Sequence, residues 1–387
     1  MYTEHRSKDG RGRGLCRQLW VVVSLTLGLV LAGAVLLWAR AYAAVVEVPP
    51  VRPVQAVASA TEVSYVFRFS PTLGISGTFE ALTIPTKGAA PEGIAVSNWP
   101  YTTEVWFTEP SADRIGRLIY TGTADYTFQE YDLPTGSRPL NIDVDSQGDA
   151  WFTENGRSRI GYIDASTGVT HEFPISTTDV APMDLDIAPD DSIWFTERAT
   201  DHIGQLIVTS TTDFQVREFH VGWSDAGLSG VLAEGNDKIW AALGHAERLV
   251  QLKPSVPRVD STSPLTSTGY PFMLATAPSG SSLWFTELHG NHVSLFVVST
   301  LEWGLRYTVP TNNSRPYHLD LDSAGDVWFS EQLGGKIGRL RTPMGTFTEF
   351  PVPLPRARIQ GLDVDSDDVV WLVAGRWHFV NLPIVLR

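Results

Sequence analysis

From residue 61 onward the sequence is a succession of short apolar runs separated by turn residues, with no stretch of long helical period. One unit shows the pattern cleanly. Residues 139–145 form a first run in which apolar and polar positions alternate, and 146–149 (Ser-Gln-Gly-Asp) read as a turn. Residues 150–154, 159–164 and 170–175 supply three further runs. Alternation at period two puts successive side chains on opposite faces, so each run is predicted to be a β-strand and each unit a meander of four antiparallel strands.

The unit repeats. Its second run carries the phrase Trp-Phe-Thr-Glu at 106–109, 151–154, 194–197 and 284–287, and Trp-Phe-Ser-Glu at 328–331. Trp240 and Trp371 stand where the phrase recurs in decayed form, which makes seven tryptophans spaced 43–46 residues apart. Four strands per period of this size are one blade of a β-propeller. The predicted fold is therefore all-β, a seven-bladed β-propeller over residues 61–387. The last unit has its Trp371 strand and a third run near 376–382 but lacks a fourth. Residues 77–85, beginning Gly-Thr-Phe, resemble the fourth strand at 345–351, so 79–85 is expected to complete the seventh blade and latch the ring. Residues 61–70 also alternate and read as an extra strand, with 380–386 as its expected partner. Closure removes sheet edges that would otherwise pair with other chains, and a monomer is expected.

The pattern ahead of the propeller is different. Residues 19–39 are apolar apart from Ser24 and Thr26, and at 1.5 Å per residue they reach about 30 Å, enough to cross a hydrocarbon core. The basic residues before them predict a cytoplasmic N-terminus over 1–18. The span is longer than the apolar core of a secretory signal, so a single-pass anchor with an extracytoplasmic propeller is expected. Ala41-Tyr42-Ala43 has the small-x-small form of a cleavage site, and cleavage there would release the domain. Residues 44–60, rich in Val, Pro and Ala, read as a linker. The one cysteine, Cys16, precedes the span, so the exported part has no disulfide and depends on its apolar core.

Charge narrows the partners. The formal net charge is −14. The first 45 residues carry six basic and two acidic side chains, which leaves −18 on the rest. Such a surface repels phosphate backbones, so nucleic acid is not an expected partner.

In the repeated phrase, Trp and Thr point to one strand face and Phe and Glu to the other. Because blades pack on both faces, the aromatic residues read as inter-blade core. The Glu at the strand end reads as an acceptor of backbone N–H bonds, with a cation-binding ring at the channel mouth as the alternative. The turns at Asp143-Val-Asp145, Asp320-Leu-Asp322 and Asp363-Val-Asp365 lack the downstream Glu of a calcium loop and read as self-closed Asp turns. In a meander, the segment leading into the first strand and the loop leaving the second share one rim around the axis. That rim carries Glu92, Arg138, Asp184, Ser229, Tyr270, Phe272, Arg315, Tyr317, His318 and Arg358, and the facing loops bring His202, His245, His289 and His292. Glu92, Asp184, Tyr270, Phe272, Arg315, Tyr317, His318 and Gln360 are the candidate ligand-binding residues, and His318 is the candidate catalytic residue. Glu287, His289 and His292, with Glu331, are the candidate metal ligands.

The units resemble the streptogramin B lyase (virginiamycin B lyase) family. The resemblance rests on Pro91-Glu-Gly-Ile94, on Trp-Phe-Thr-Glu, and on Ile-Gly-Arg-Leu at 115–118 and 337–340, with variants at 160–163 and 203–206. It covers about residues 79–382. It implies a seven-bladed propeller that linearises a cyclic depsipeptide by elimination, with Mg²⁺ near the axis. It also implies histidines in the Pro-His starts of the last two blades and a Glu after the final Trp-Phe strand. Here those positions read Tyr317, Gln360 and Trp371-Leu-Val-Ala-Gly375. His318 falls one place late, and one place along a regular strand turns a side chain to the opposite face.

Three functions are compatible with these residues. The first is an exported propeller without lyase chemistry that binds a small molecule, peptide or glycan at its axis, or a protein partner. The second is a metal-dependent lyase or lactone hydrolase acting at the axial mouth. The third is a structural module.

Overall fold

The computed structural model describes residues 63–376 apart from 73–75, 100, 122–124, 236, 263, 266 and 267. The predicted N-terminus, span and linker lie outside the described residues, as does 380–386. Among the described residues the chain forms strands β1 (Tyr65–Pro71) to β28 (Val370–Arg376) and no helix. They make seven four-stranded antiparallel sheets.

The innermost strands are β3 (Ile94–Trp99), β7 (Pro139–Val144), β11 (Pro182–Ile187), β15 (Leu228–Ala233), β19 (Pro271–Thr276), β23 (Pro316–Leu321) and β27 (Ala357–Val364). Each packs against the next, and β27 packs against β3, which closes a ring of seven blades numbered here from β3. The closing blade departs from expectation in one respect. Its order is β27, β28, β1 and then β2 (Gly77–Thr83). The outermost strand is the predicted 77–85 segment, but the third strand is β1, with Tyr65 opposite Ala374 and Phe69 opposite Val370. The expected third strand near 376–382 is therefore displaced: the N-terminal segment supplies two strands, not one. The apolar alternation of Tyr65, Phe67 and Phe69 explains this, since all three are buried in the core of the last blade.

All seven repeat tryptophans are buried. They lie between blades, as Phe69 against Trp328 and Tyr120 against Trp371 show, with ring centroids 5.8 and 5.5 Å apart. Burying such side chains stabilises the ring by about 2–3 kcal/mol each. The Gly of Ile-Gly has a steric cause: a Cβ at Gly338 would run into the Phe329 ring of the neighbouring strand. The aspartate turns are self-closed. Asp145 accepts from the Gln147 and Asp149 N–H groups at 2.9 and 3.0 Å and from Trp151 Nε1 at 2.9 Å. Asp322 and Asp365 hold Trp328 and Trp371 the same way.

The third residue of the phrase does something the sequence reading missed. Thr108, Thr196, Thr286 and Ser330 donate to the carbonyls of Leu140, Ser229, Tyr317 and Gln360 in the next blade's first strand, the second residue of β7, β15 and β23 and the fourth of β27, at 2.8–2.9 Å. The same hydroxyls accept N–H bonds from Gly93, Asp184, Met273 and His318 of their own blade. Blade 4 has Ala242 at this place, and Ser229 Oγ instead reaches Pro271 O at 3.1 Å. Each hydroxyl thus fixes backbone on two blades just below the axial rim.

Candidate functional site

The rim is shaped by an irregularity common to six blades. The pairing of first and second strands shifts register between Pro139 and Ile142, Pro182 and Leu185, Leu228 and Val231, Pro271 and Leu274, Pro316 and Leu319, and Ile359 and Leu362. Such a bulge sets two residues opposite one and re-aims their side chains. Its first member points to the mouth: Leu140, Met183, Phe272 and Tyr317 line it, with Glu92 at the equivalent place in blade 1. Its second member lines the channel below, as Asn141, Asp184, Met273 and His318 do. Tyr317 and His318 together line a throat of about 20 Å³ between mouth and channel. The expectation that His318 turns to the opposite face is therefore corrected: the bulge overrides alternation and both side chains face the axis at different depths.

The mouth is a cup of about 550 Å³. First-strand segments bring Glu92, Tyr270, Phe272, Arg315, Tyr317 and Arg358, and the facing loops bring Arg198, His245, His289 and Gln332. Its wall is aromatic, with ring centroids 4.6 Å apart for Tyr270 and His289, 5.5 Å for Tyr270 and His245, and 4.5 Å for Phe272 and Tyr317. The Tyr317 hydroxyl donates to Glu92 Oε1 at 2.9 Å. Burial, and then the Glu92 carboxylate, hold that phenol well above its ordinary range, so it remains a donor. Arg198 spans the rim, donating to Tyr270 Oη at 2.9 Å and to Met183 Sδ at 3.2 Å. His289 is pushed below its ordinary value by burial, then by Arg315 and His245.

The candidate residues thus divide. Glu92, Tyr270, Phe272, Arg315 and Tyr317 converge on the mouth. Asp184 and His318 lie in the channel, and Gln360 is buried, accepting from Gln332 Nε2 at 3.3 Å. Ser229 is buried in its inter-blade bond, and His202 meets the His220 ring edge to face, outside the mouth lining. Burial drives His318 down to about 4, so the imidazole is neutral near pH 7 and its backbone N–H is held by Ser330. A residue missed by sequence reading is Arg198; it directly follows Glu197 of the phrase, in the same loop, one place before the position of His245 and His289 in their blades.

The metal set does not assemble. His289 lines the mouth, whereas Glu287 is buried between strands with Ser294 Oγ at 2.6 Å and Arg306 Nε at 2.8 Å. His292 Nδ1 lies 4.0 Å from Glu287, and Glu331 belongs to the next blade. Among the described residues no group of three His, Cys, Asp or Glu side chains could hold a metal ion. The one carboxylate at the mouth, Glu92, is bonded by Tyr317 among three arginines. These residues do not fit the Mg²⁺ that the resemblance implies.

The five glutamates of the phrase are fully buried and line neither mouth nor channel. Glu109, Glu154 and Glu331 have no hydrogen-bond partner on either oxygen among the described residues, although Arg157 Nη1 approaches Glu154 to 3.7 Å. The expectation that they accept backbone N–H bonds is thus corrected, as is that of a cation ring at the mouth. Each faces a second glutamate from the outermost strand: Glu130, Glu172 and Glu349, with Glu218 facing Glu197. Burial first, and the neighbouring acid with it, raise Glu109 to about 8 and Glu154, Glu197 and Glu331 to about 7.

Comparison with known proteins places the chain. The sequence pattern of the virginiamycin B lyase family matches residues 77–378. The chain is similar to the virginiamycin B lyase of Nocardia farcinica (strain IFM 10152), 28% identical over 292 residues that cover 75% of this chain and 80% of that one. It is similar in fold to the virginiamycin B lyase of Staphylococcus aureus, with a TM-score of 0.66 at 24% identity over 76% of this chain and 97% of the other. A catalytically inactive variant of that enzyme with quinupristin gives a TM-score of 0.66 at 25% identity, again over 76% and 97%.

Proposed function

The chain belongs to the virginiamycin B lyase family, and within it we propose that this protein is an exported, membrane-anchored propeller that binds a small ligand at its axial mouth without the family's lyase chemistry. The observation that carries this reading is what occupies the positions where the resemblance places catalytic groups. Tyr317 uses its hydroxyl on Glu92, Gln360 is buried against Gln332, and Ala374 stands at the Glu position. An elimination needs a base within reach of the abstracted proton. Here the adjacent ring, His318, lines the narrow throat beneath the mouth together with Tyr317. What remains is a rigid scaffold carrying aromatic and cationic side chains around a cup, the usual composition of a binding site.

The test is direct. Full-length chain incubated with quinupristin and Mg²⁺ should give no linearised product by mass spectrometry; a linear product forming at a rate proportional to protein overturns the reading. The binding half is checked by ligand-observed NMR with small aromatic acids, amides and sugars. Signals that vanish with Tyr270→Ala support it, and a screen without a single mouth-dependent ligand sinks it. The anchor rests on the 19–39 apolar run, and alkaline carbonate extraction of membranes should leave the chain in the pellet.

A further inference from the structure

The mouth is electrostatically at odds with the molecule around it. The chain carries a net charge of −14, yet the cup gathers Arg198, Arg315 and Arg358 against the single carboxylate of Glu92. Glu92 is already engaged by the Tyr317 hydroxyl. Arg198 donates to two neutral acceptors, Tyr270 Oη and Met183 Sδ, and leaves most of its five N–H groups to the cup. Arg315 makes no side-chain hydrogen bond or ion pair among the described residues and stands at a left-handed backbone position, φ 54°, just ahead of β23. Burial first, and then Arg315 and His245, lower His289 beside them. Asp225, the other acid near the rim, is taken by His245 Nδ1 at 3.0 Å. Beside the arginines stand the flat faces of Tyr270, Phe272 and His289.

Resting on the binding reading above, we propose that the axial mouth selects a small anion carried on a flat ring, an aryl or heteroaryl carboxylate or phosphate. Guanidinium forks match the paired oxygens of such groups, and their attraction strengthens where the cup excludes water. The aromatic wall takes the ring by offset or edge contact. A ligand without the charge leaves Arg198 and Arg315 without an anionic partner, so the neutral analogue binds less well.

Calorimetric titration of the full-length chain with 2-naphthoate, 2-naphthyl phosphate and neutral 2-naphthamide tests this. The expected result is that an anionic probe binds at least tenfold more tightly than the amide, with the advantage lost in Arg315→Gln and in Arg198→Gln. The two anions decide between carboxylate and phosphate as the preferred group. Should all three probes bind equally, with binding lost in Tyr270→Ala, the anion proposal falls while the mouth stands as a site. Should an anion preference survive both arginine variants, the proposal falls as well, because the selectivity then arises elsewhere. Should none bind, the mouth reading fails together with it. Circular dichroism of each variant separates loss of binding from loss of fold.

Discussion

Blade 5 and blades 1, 2, 3 and 6 contain the same buried glutamate in the same phrase and treat it in opposite ways. In blade 5 the outermost strand places Arg306 across from Ser294, and the guanidinium and the Ser294 hydroxyl take Glu287 in a buried ion pair. In the other four the outermost strand brings a second glutamate, and the buried acid is driven up to about 7 or 8. Two exchanges on neighbouring strands, Arg306 for the outer glutamate and Ser294 for the Gly of Ile-Gly, therefore give the same buried acid a cation and a hydroxyl in place of a second acid. A repeated residue is not a repeated state; its partner decides.

The widest test of that contrast is pH. A carboxyl raised above its unfolded value contributes stability that is fully present below about 4.5 and lost as pH rises through its folded value. Four such groups act in the same direction, so the fold should lose stability steadily as pH rises from 5 through 8. Urea denaturation across that range should show the midpoint falling steadily, and Glu109→Gln should flatten the fall above pH 7. A flat profile in the wild type would mean that the four acids are charged and held by something else.

Blade 5 predicts a smaller, opposite sensitivity. Arg306→Leu leaves Glu287 buried without its cation, and about 3 kcal/mol should be lost. That is the low end for a broken buried pair, because the Arg306 side chain is 31% exposed. Arg306→Glu should do something more specific: it gives blade 5 the double acid of the others, so its stability should recover at pH 5 and not at pH 8. A loss independent of pH would break the comparison. The smallest effect belongs to the hydroxyl. Thr153→Val strands the N–H of Asn141, which Thr153 Oγ1 accepts at 3.0 Å, and should cost about 1–2 kcal/mol in the same denaturation measurement.

The architecture was legible because it is written at two periods at once, the two-residue alternation within strands and the spacing of Trp106 through Trp371. Both reflect burial, and burial is what sequence pattern records best. The rim was legible in outline because meander geometry places Tyr270, Phe272, Arg315 and Tyr317 together without knowledge of any side-chain contact. Two things were not. The bulges after Pro139, Pro182, Pro271 and Pro316 spoil the alternation over just two residues, too short to register as a change of period, and so the depth of His318 was misjudged. The fate of the glutamates depended on a strand some twenty residues downstream. A signal was present: an acid precedes the aromatic of the fourth run in Glu130-Tyr131, Glu172-Phe173, Glu218-Phe219 and Glu349-Phe350, whereas blade 5 reads Arg306-Tyr307.

The last blade, finally, sets a timetable. Its two outer strands are the first part of the propeller to leave the ribosome or the translocon, and its two inner strands are the last. Tyr65 waits for Ala374, and bringing ends so distant together costs on the order of 5 kcal/mol in chain entropy before any pairing is gained. Until then the β1–β2 hairpin stands with an open edge, the surface on which misassembly starts. Six blades can form as the chain arrives, each from its own local strands, but the ring cannot lock until synthesis is complete. A chain permuted to begin at residue 91 and to carry 63–85 behind residue 376 would remove that wait, and should fold faster to the same closed ring.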